Sequence, residues 1–184
     1  MRTALIRSLV AGTVAATGLL LATATATATA SASTGMEHDP VVSGPSGDVT
    51  ILVTKLTHAQ ATSMLRSSGI TWSSSGNCSN RNNSTCTSFD QVNLATIQGA
   101  QTLKRASGCA LNITGGTETG HASGTYSHWN GYKLDFALGS GCLGSYIRNN
   151  FTSIGGNQWK SGSGNIYFLE SNHWDVTYFN CGGC

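Results

Sequence analysis

Leu103-Lys104-Arg105-Ala106-Ser107-Gly108-Cys109-Ala110-Leu111-Asn112-Ile113 is the stretch where the chain changes its period. Before it, Phe89, Val92, Ile97 and Leu103 fall at helical spacings, and Gly108 supplies a stop. After it, Ala110–Ile113 reads as a short strand running into a glycine turn. Upstream, a helix is expected from Ser88, with Gln91 at the third position. An earlier one opens at Thr57 with Gln60 as a capping box, buries Ala61, Met64 and Leu65, and stops at Gly69. Downstream, Lys133–Leu138 alternates as a strand and Cys142–Phe151 has a helical pattern. Asn165–Leu169 and Trp174–Phe179 form two strands about a turn. Helices first and antiparallel strands later predict a small single α+β domain.

Residues 1–32 precede that domain. Arg2 and Arg7, the apolar run Leu9–Leu21 and the small residues Ala30-Ser31-Ala32 have the layout of a secretory signal peptide. Residues 33–55 hold both prolines, Pro40 and Pro45, and read as a linker or short pro-segment, which leaves 56–184 as the domain. Secretion to the extracellular space is therefore expected, with no stable membrane insertion after signal cleavage. Loss of Arg2 and Arg7 leaves equal numbers of basic and acidic side chains, so long-range steering contributes little. Charged residues make up 10% of the chain, against about 25% in ordinary domains. No Lys/Arg cluster exists to neutralise phosphates, which excludes a nucleic-acid partner. Four Trp, five Tyr and five Phe exclude a disordered chain. A monomer is expected.

Six cysteines, Cys78, Cys86, Cys109, Cys142, Cys181 and Cys184, lie in the exported part, where an even count predicts three disulfides. Proximity favours Cys78–Cys86 and Cys181–Cys184, leaving Cys109–Cys142.

Scarcity of charge makes the ionisable groups easy to inspect. His128 and Asp135 stand seven apart with Gly131 between them, a spacing that suits a loop turning at the glycine and entering a strand at Lys133. Glu170 precedes His173 by three. His128, Asp135 and His173 would give a catalytic zinc two imidazoles, one carboxylate and an open position. Glu170, left unligated, is the expected general base for a water that the metal acidifies. Tyr126 and Trp129 flank these residues and are expected to wall a substrate groove.

His-x-x-Gly-x-x-x-Asp (128–135) followed by Glu-x-x-His-Trp (170–174) resembles the motifs of the zinc D-Ala-D-Ala carboxypeptidase and dipeptidase family. These belong with lysostaphin and sonic hedgehog to the LAS group. The resemblance implies a hedgehog/D-Ala-D-Ala peptidase fold, zinc on His128, Asp135 and His173, and Glu170 as general base. Three positions differ. Tyr126 and Lys133 stand where the family has Ser and Ala, and the segment Thr114–His121 lacks the family's oxyanion-stabilising Arg. His121, in the same glycine-flanked loop, is the expected replacement.

Two functions follow as expectations. One is a secreted zinc peptidase cutting the peptide stems or cross-links of bacterial peptidoglycan. The other is a non-catalytic module that binds cell wall or glycan, with structural zinc or none. A serine hydrolase is a weak third reading, since the chain has no Gly-x-Ser-x-Gly elbow.

Overall fold

The computed structural model describes residues 53–179. The expected signal peptide, residues 33–52 of the linker and the Cys181–Cys184 pair lie outside these. Thr57 caps helix α1 (His58–Ser67) with a complete capping box: its Oγ1 accepts from the Gln60 N–H, and Gln60 Oε1 accepts from the Thr57 N–H. Gly69, at φ +68°, carries the chain out of that helix. Strand β1 (Lys55–Leu56) precedes it, and the Thr54 carbonyl accepts from the Leu94 N–H at 2.8 Å. The linker expected to run to residue 55 therefore ends earlier, because Thr54 and Lys55 hydrogen-bond into the domain.

The helix expected from Ser88 begins only at Leu94, as α2 (Leu94–Ser107). A distant carboxylate overrides the local capping signal. The Ser88 N–H donates to buried Glu118 at 2.7 Å. Gln91 adopts φ +65°, and its N–H donates to the Leu56 carbonyl. Val92–Asn93 becomes β3, antiparallel to β1. Gly108, at φ +67°, ends α2 as expected.

The other strands are β2 (Thr71–Trp72), β4 (Asn112–Gly115), β5 (Lys133–Ala137), β6 (Thr152–Gly155), β7 (Gln158–Lys160), β8 (Ile166–Leu169) and β9 (His173–Thr177). Helix α3 (Cys142–Asn150) lies between β5 and β6. Seven strands make one sheet in the order β2-β4-β5-β9-β8-β7-β6. The domain is α+β, but the sheet is not wholly antiparallel: β2 runs parallel to β4. Nor do all helices come first, since α3 interrupts the strands. Cys78–Cys86 and Cys109–Cys142 are disulfides. The second ties the end of α2 to the start of α3, and its sequence separation of 33 gives about 3–4 kcal/mol in the chain-entropy account. Among the described residues no helix is long and apolar enough to cross a membrane.

Strand alternation separates core from site. Leu134 and Phe136 on β5 lie opposite Val176 and Trp174 on β9, and all four are buried among Leu65, Ile97, Leu103 and Ile147 of the helices. The intervening residues Lys133, Asp135 and Ala137 face Thr177, Asp175 and His173 on the other side of the sheet. That second face carries nearly all the ionisable groups of the sheet.

Candidate metal centre

Three short segments deliver histidines to Asp135. The first is the turn before β5. The Gly131 N–H closes it on the His128 carbonyl at 2.8 Å, and Gly131 holds φ +82° with no room for a side chain against the Gln91 carbonyl. The turn folds His128 back so that its Nε2 lies 3.2 Å from Asp135 Oδ1. The second is the β8–β9 hairpin. A two-residue loop, Ser171-Asn172, places Glu170 and His173 opposite each other, with the Glu170 N–H on the His173 carbonyl. His173 Nε2 then sits 3.4 Å from Asp135 Oδ1 and 3.4 Å from Glu170 Oε2. The third is the loop after β4, where His121 Nδ1 comes within 3.7 Å of Asp135 Oδ2. Gly115 makes this convergence possible, since a Cβ there would lie 2.3 Å from the Asp135 carboxylate.

Each histidine has its outer nitrogen held. His128 Nδ1 meets the Gly116 carbonyl at 2.6 Å, and only an N–H can do so. His173 Nδ1 meets Asn172 Oδ1 at 2.8 Å. His121 Nε2 meets Glu118 Oε1 at 3.2 Å. In their neutral forms His128 and His173 therefore turn bare Nε2 lone pairs on Asp135 Oδ1, a buried oxygen with no hydrogen-bond partner. Lone pairs facing a carboxylate repel it unless a positive charge lies among them, either a metal ion or a proton on an imidazole. Outer-nitrogen partners of this kind are the usual support of metal-ligating histidines.

His121, His128 and Asp135 offer ligand atoms within 4.8 Å of one another and could hold a metal ion. The His121 and His128 rings are stacked, however, with centroids 3.8 Å apart and planes 16° from parallel. Nearly parallel rings point their in-plane lone pairs side by side rather than at one ion. His128 and His173 bear on the same carboxylate oxygen, one from the turn and one from β9, but His173 is not in that cluster of mutually close ligand atoms.

Electrostatics follow from the same contacts. Burial works to raise the Asp135 carboxyl, but the close imidazoles of His128 and His173 outweigh it and hold it well below its ordinary value. Burial likewise opposes ionisation of Glu118, and bonds from His121, Ser88 and Gly116 overcome that. The Asp135 contact raises His173. For His121 burial works downward, and Glu118 and Asp135 prevail to raise it. In metal-free protein the raised imidazoles stabilise the fold below their ordinary 6.5, and that contribution is lost as pH rises through the folded values. The lowered carboxyls contribute above their ordinary 3.8 and 4.5 and lose that contribution on acidification. Thermal unfolding in chelator is thus expected to show greatest stability between pH 4.5 and 6.5; a metal-free stability that climbs from pH 6.5 to 8 would contradict this placement of the histidines.

A cleft of about 260 Å³ opens beside the centre, lined by Glu118, His121, Ser123, Ser127, Trp129 and Asn130. Trp129 is 45% exposed along it. Tyr126 packs edge-on against Tyr132 and Phe179. Trp174 is core. Lys133 forms a 2.7 Å ion pair with Asp175 Oδ2, and Asp175 lies across the strand pair from Asp135. Sequence reasoning missed Glu118, which ties Ser88, Gly116 and His121 together. Its signal was a second Glu-x-x-His, at 118–121. It also missed Arg81, whose guanidinium covers Trp129 from the loop closed by Cys78–Cys86.

No protein-family model matches the chain, and no curated protein or solved structure is significantly similar to it.

Proposed function

We propose that the chain is a secreted zinc peptidase acting on the peptide part of bacterial peptidoglycan, with His128, Asp135 and His173 as ligands. The observation that carries the reading is the partnerless Asp135 Oδ1 between two imidazoles whose outer nitrogens are occupied by Gly116 and Asn172. Two imidazoles and one carboxylate suit zinc and leave a coordination position open. When bound, zinc supplies a Lewis acid that polarises a peptide carbonyl and acidifies water. Glu170, 39% exposed and 3.4 Å from His173, is reachable by solvent and accepts the proton of the attacking water. His121, whose imidazole Glu118 and Asp135 bias toward the protonated form, donates to the oxyanion that develops on the carbonyl. Peptidoglycan as substrate rests on the resemblance of the 128–135 and 170–174 motifs to D-Ala-D-Ala peptidases.

The test uses the mature protein with and without zinc on purified peptidoglycan. About one zinc per chain and a zinc-dependent release of new amino groups are expected. Saturable binding to the wall with no new amines at full zinc loading would overturn the enzyme in favour of a binding module.

A further inference from the structure

A second cleft, of about 190 Å³, opens on the helix face of the sheet, away from the metal centre. Strand alternation puts it there. Tyr167 on β8 pairs with Val176 and shares the core face, whereas Phe168 pairs with Asp175 and shares the metal face. Tyr167 lines the cleft, and Phe151 packs on it with ring centroids 4.6 Å apart. Tyr146 of α3 meets Phe151 edge-on at 5.6 Å, so the three rings form one aromatic wall. Helix α2 contributes small residues, Gly99 and Ala106. Gly99 has no room for a side chain, because the Tyr178 ring fills the place of its Cβ. The turn from β7 to β8 supplies the polar rim and is braced by its own bonds. The Ser161 and Ser163 hydroxyls lie 2.8 Å apart, and Asn165 Nδ2 donates to Ser163 Oγ at 3.2 Å. Asn165 Oδ1 accepts from the Phe179 N–H, which fixes the amide orientation and leaves its second N–H for a ligand.

No residue lining this cleft carries a charged side chain. Burial raises the Tyr167 phenol far above its ordinary value, so its hydroxyl stays a neutral donor at physiological pH. Tyr178, behind Gly99, ends in a hydroxyl that is buried without a partner. Hydrogen-bonding capacity around the cleft therefore exceeds what the protein itself uses. We propose that the cleft binds one N-acetylated hexose unit of a neutral glycan, independently of the metal. An aromatic wall with a few fixed polar groups suits a sugar ring, which has apolar C–H faces and a polar edge. The acetamido carbonyl is the strongest acceptor on such a sugar and matches the donors of Tyr167 and Asn165. Its methyl group needs the apolar ground that Gly99 and Ala106 provide. An acidic or phosphorylated sugar would find no cation among the lining residues.

The test titrates metal-free protein with chitotetraose and with cellotetraose, which differ in carrying acetamido or hydroxyl groups, and follows the rings of Tyr146, Phe151 and Tyr167 by NMR. Chitotetraose is expected to shift those resonances and to bind at least about tenfold tighter than cellotetraose. Tyr167→Phe should weaken binding by roughly tenfold through the lost hydroxyl, and Tyr146→Ala by a similar factor through the lost wall. Zinc uptake should be unchanged in both. Tyr167→Phe keeps the ring packing and supplies the answer if Tyr146→Ala fails to fold. Chitin and peptide-stripped peptidoglycan strands both carry the unit, and pull-down by either names the polymer and upholds the site. Equal affinity for the two tetramers, no binding of either, or parent-like affinity in both variants would overturn it. So would binding that is lost in Trp129→Ala instead, since the sugar would then sit beside the metal. Zinc-dependent amine release without sugar binding would leave the peptidase standing and remove this site. Sugar binding without amine release would do the reverse.

Discussion

Asp135→Asn is expected to abolish zinc binding and also to lower the stability of the metal-free protein. The two halves of that result have one cause. Asp135 Oδ1 is the point on which His128 Nε2 and His173 Nε2 both bear, at 3.2 and 3.4 Å. With metal, it contributes the only negative charge of the proposed ligand set. An amide oxygen carries no such charge, so affinity should fall by more than the roughly 10–100-fold typical of losing an outer partner. Without metal, the same carboxylate is held ionised by the imidazoles of His128 and His173. An Asn amide there keeps the shape but not the charge, so the stabilisation tied to the ionised carboxyl is lost. Differential scanning calorimetry reads both halves. Saturating zinc at about 1,000 times its Kd adds about 4 kcal/mol to the parent, a rise on the order of 10 °C in Tm. The variant should show no zinc-dependent rise, with a Tm in chelator below the parent's. A variant that gains as much from zinc as the parent would remove Asp135 from the centre.

The same residues show what a linear reading can reach. His128 and His173 were brought to Asp135 by devices of short range, a glycine turn and a two-residue hairpin loop. Both leave a trace in spacing, His-x-x-Gly before a strand and Glu-x-x-His between two strands. The period change at Gly108 was legible for the same reason, since a helix stop and a strand start are local. Ser88 failed because its capping signal competes with Glu118, which stands 30 residues away in sequence and takes its N–H. Strands of two residues, such as β1 and β2, carry no periodicity at all, and so Lys55 was read as linker and the parallel pair went unseen. Arg81 is the extreme case. Its loop is set by the Cys78–Cys86 bridge and by contacts to Thr117 and Trp129 that only the folded chain creates.

Glu170→Ala is expected to lower kcat by roughly 10²–10⁴-fold while the protein keeps its zinc and its stability. These outcomes separate a general base from a ligand. Glu170 closes the hairpin through its backbone, so truncating the side chain leaves the Glu170 N–H on the His173 carbonyl intact. The side chain is 39% exposed, and replacing such a group usually changes stability by no more than about 0.5 kcal/mol. A fourth ligand would behave otherwise: its removal would weaken zinc binding and lower Tm in zinc in step with activity. Glu170→Gln sharpens the distinction, because the amide keeps the shape and the contact to His173 but cannot take a proton from water. Both variants should therefore be equally inactive, with zinc content and Tm unchanged. Substantial activity in Glu170→Gln would mean that the proton goes elsewhere and that Glu170 only positions His173. If both variants released amines from peptidoglycan as fast as the parent, the mechanism would be wrong even with the metal in place.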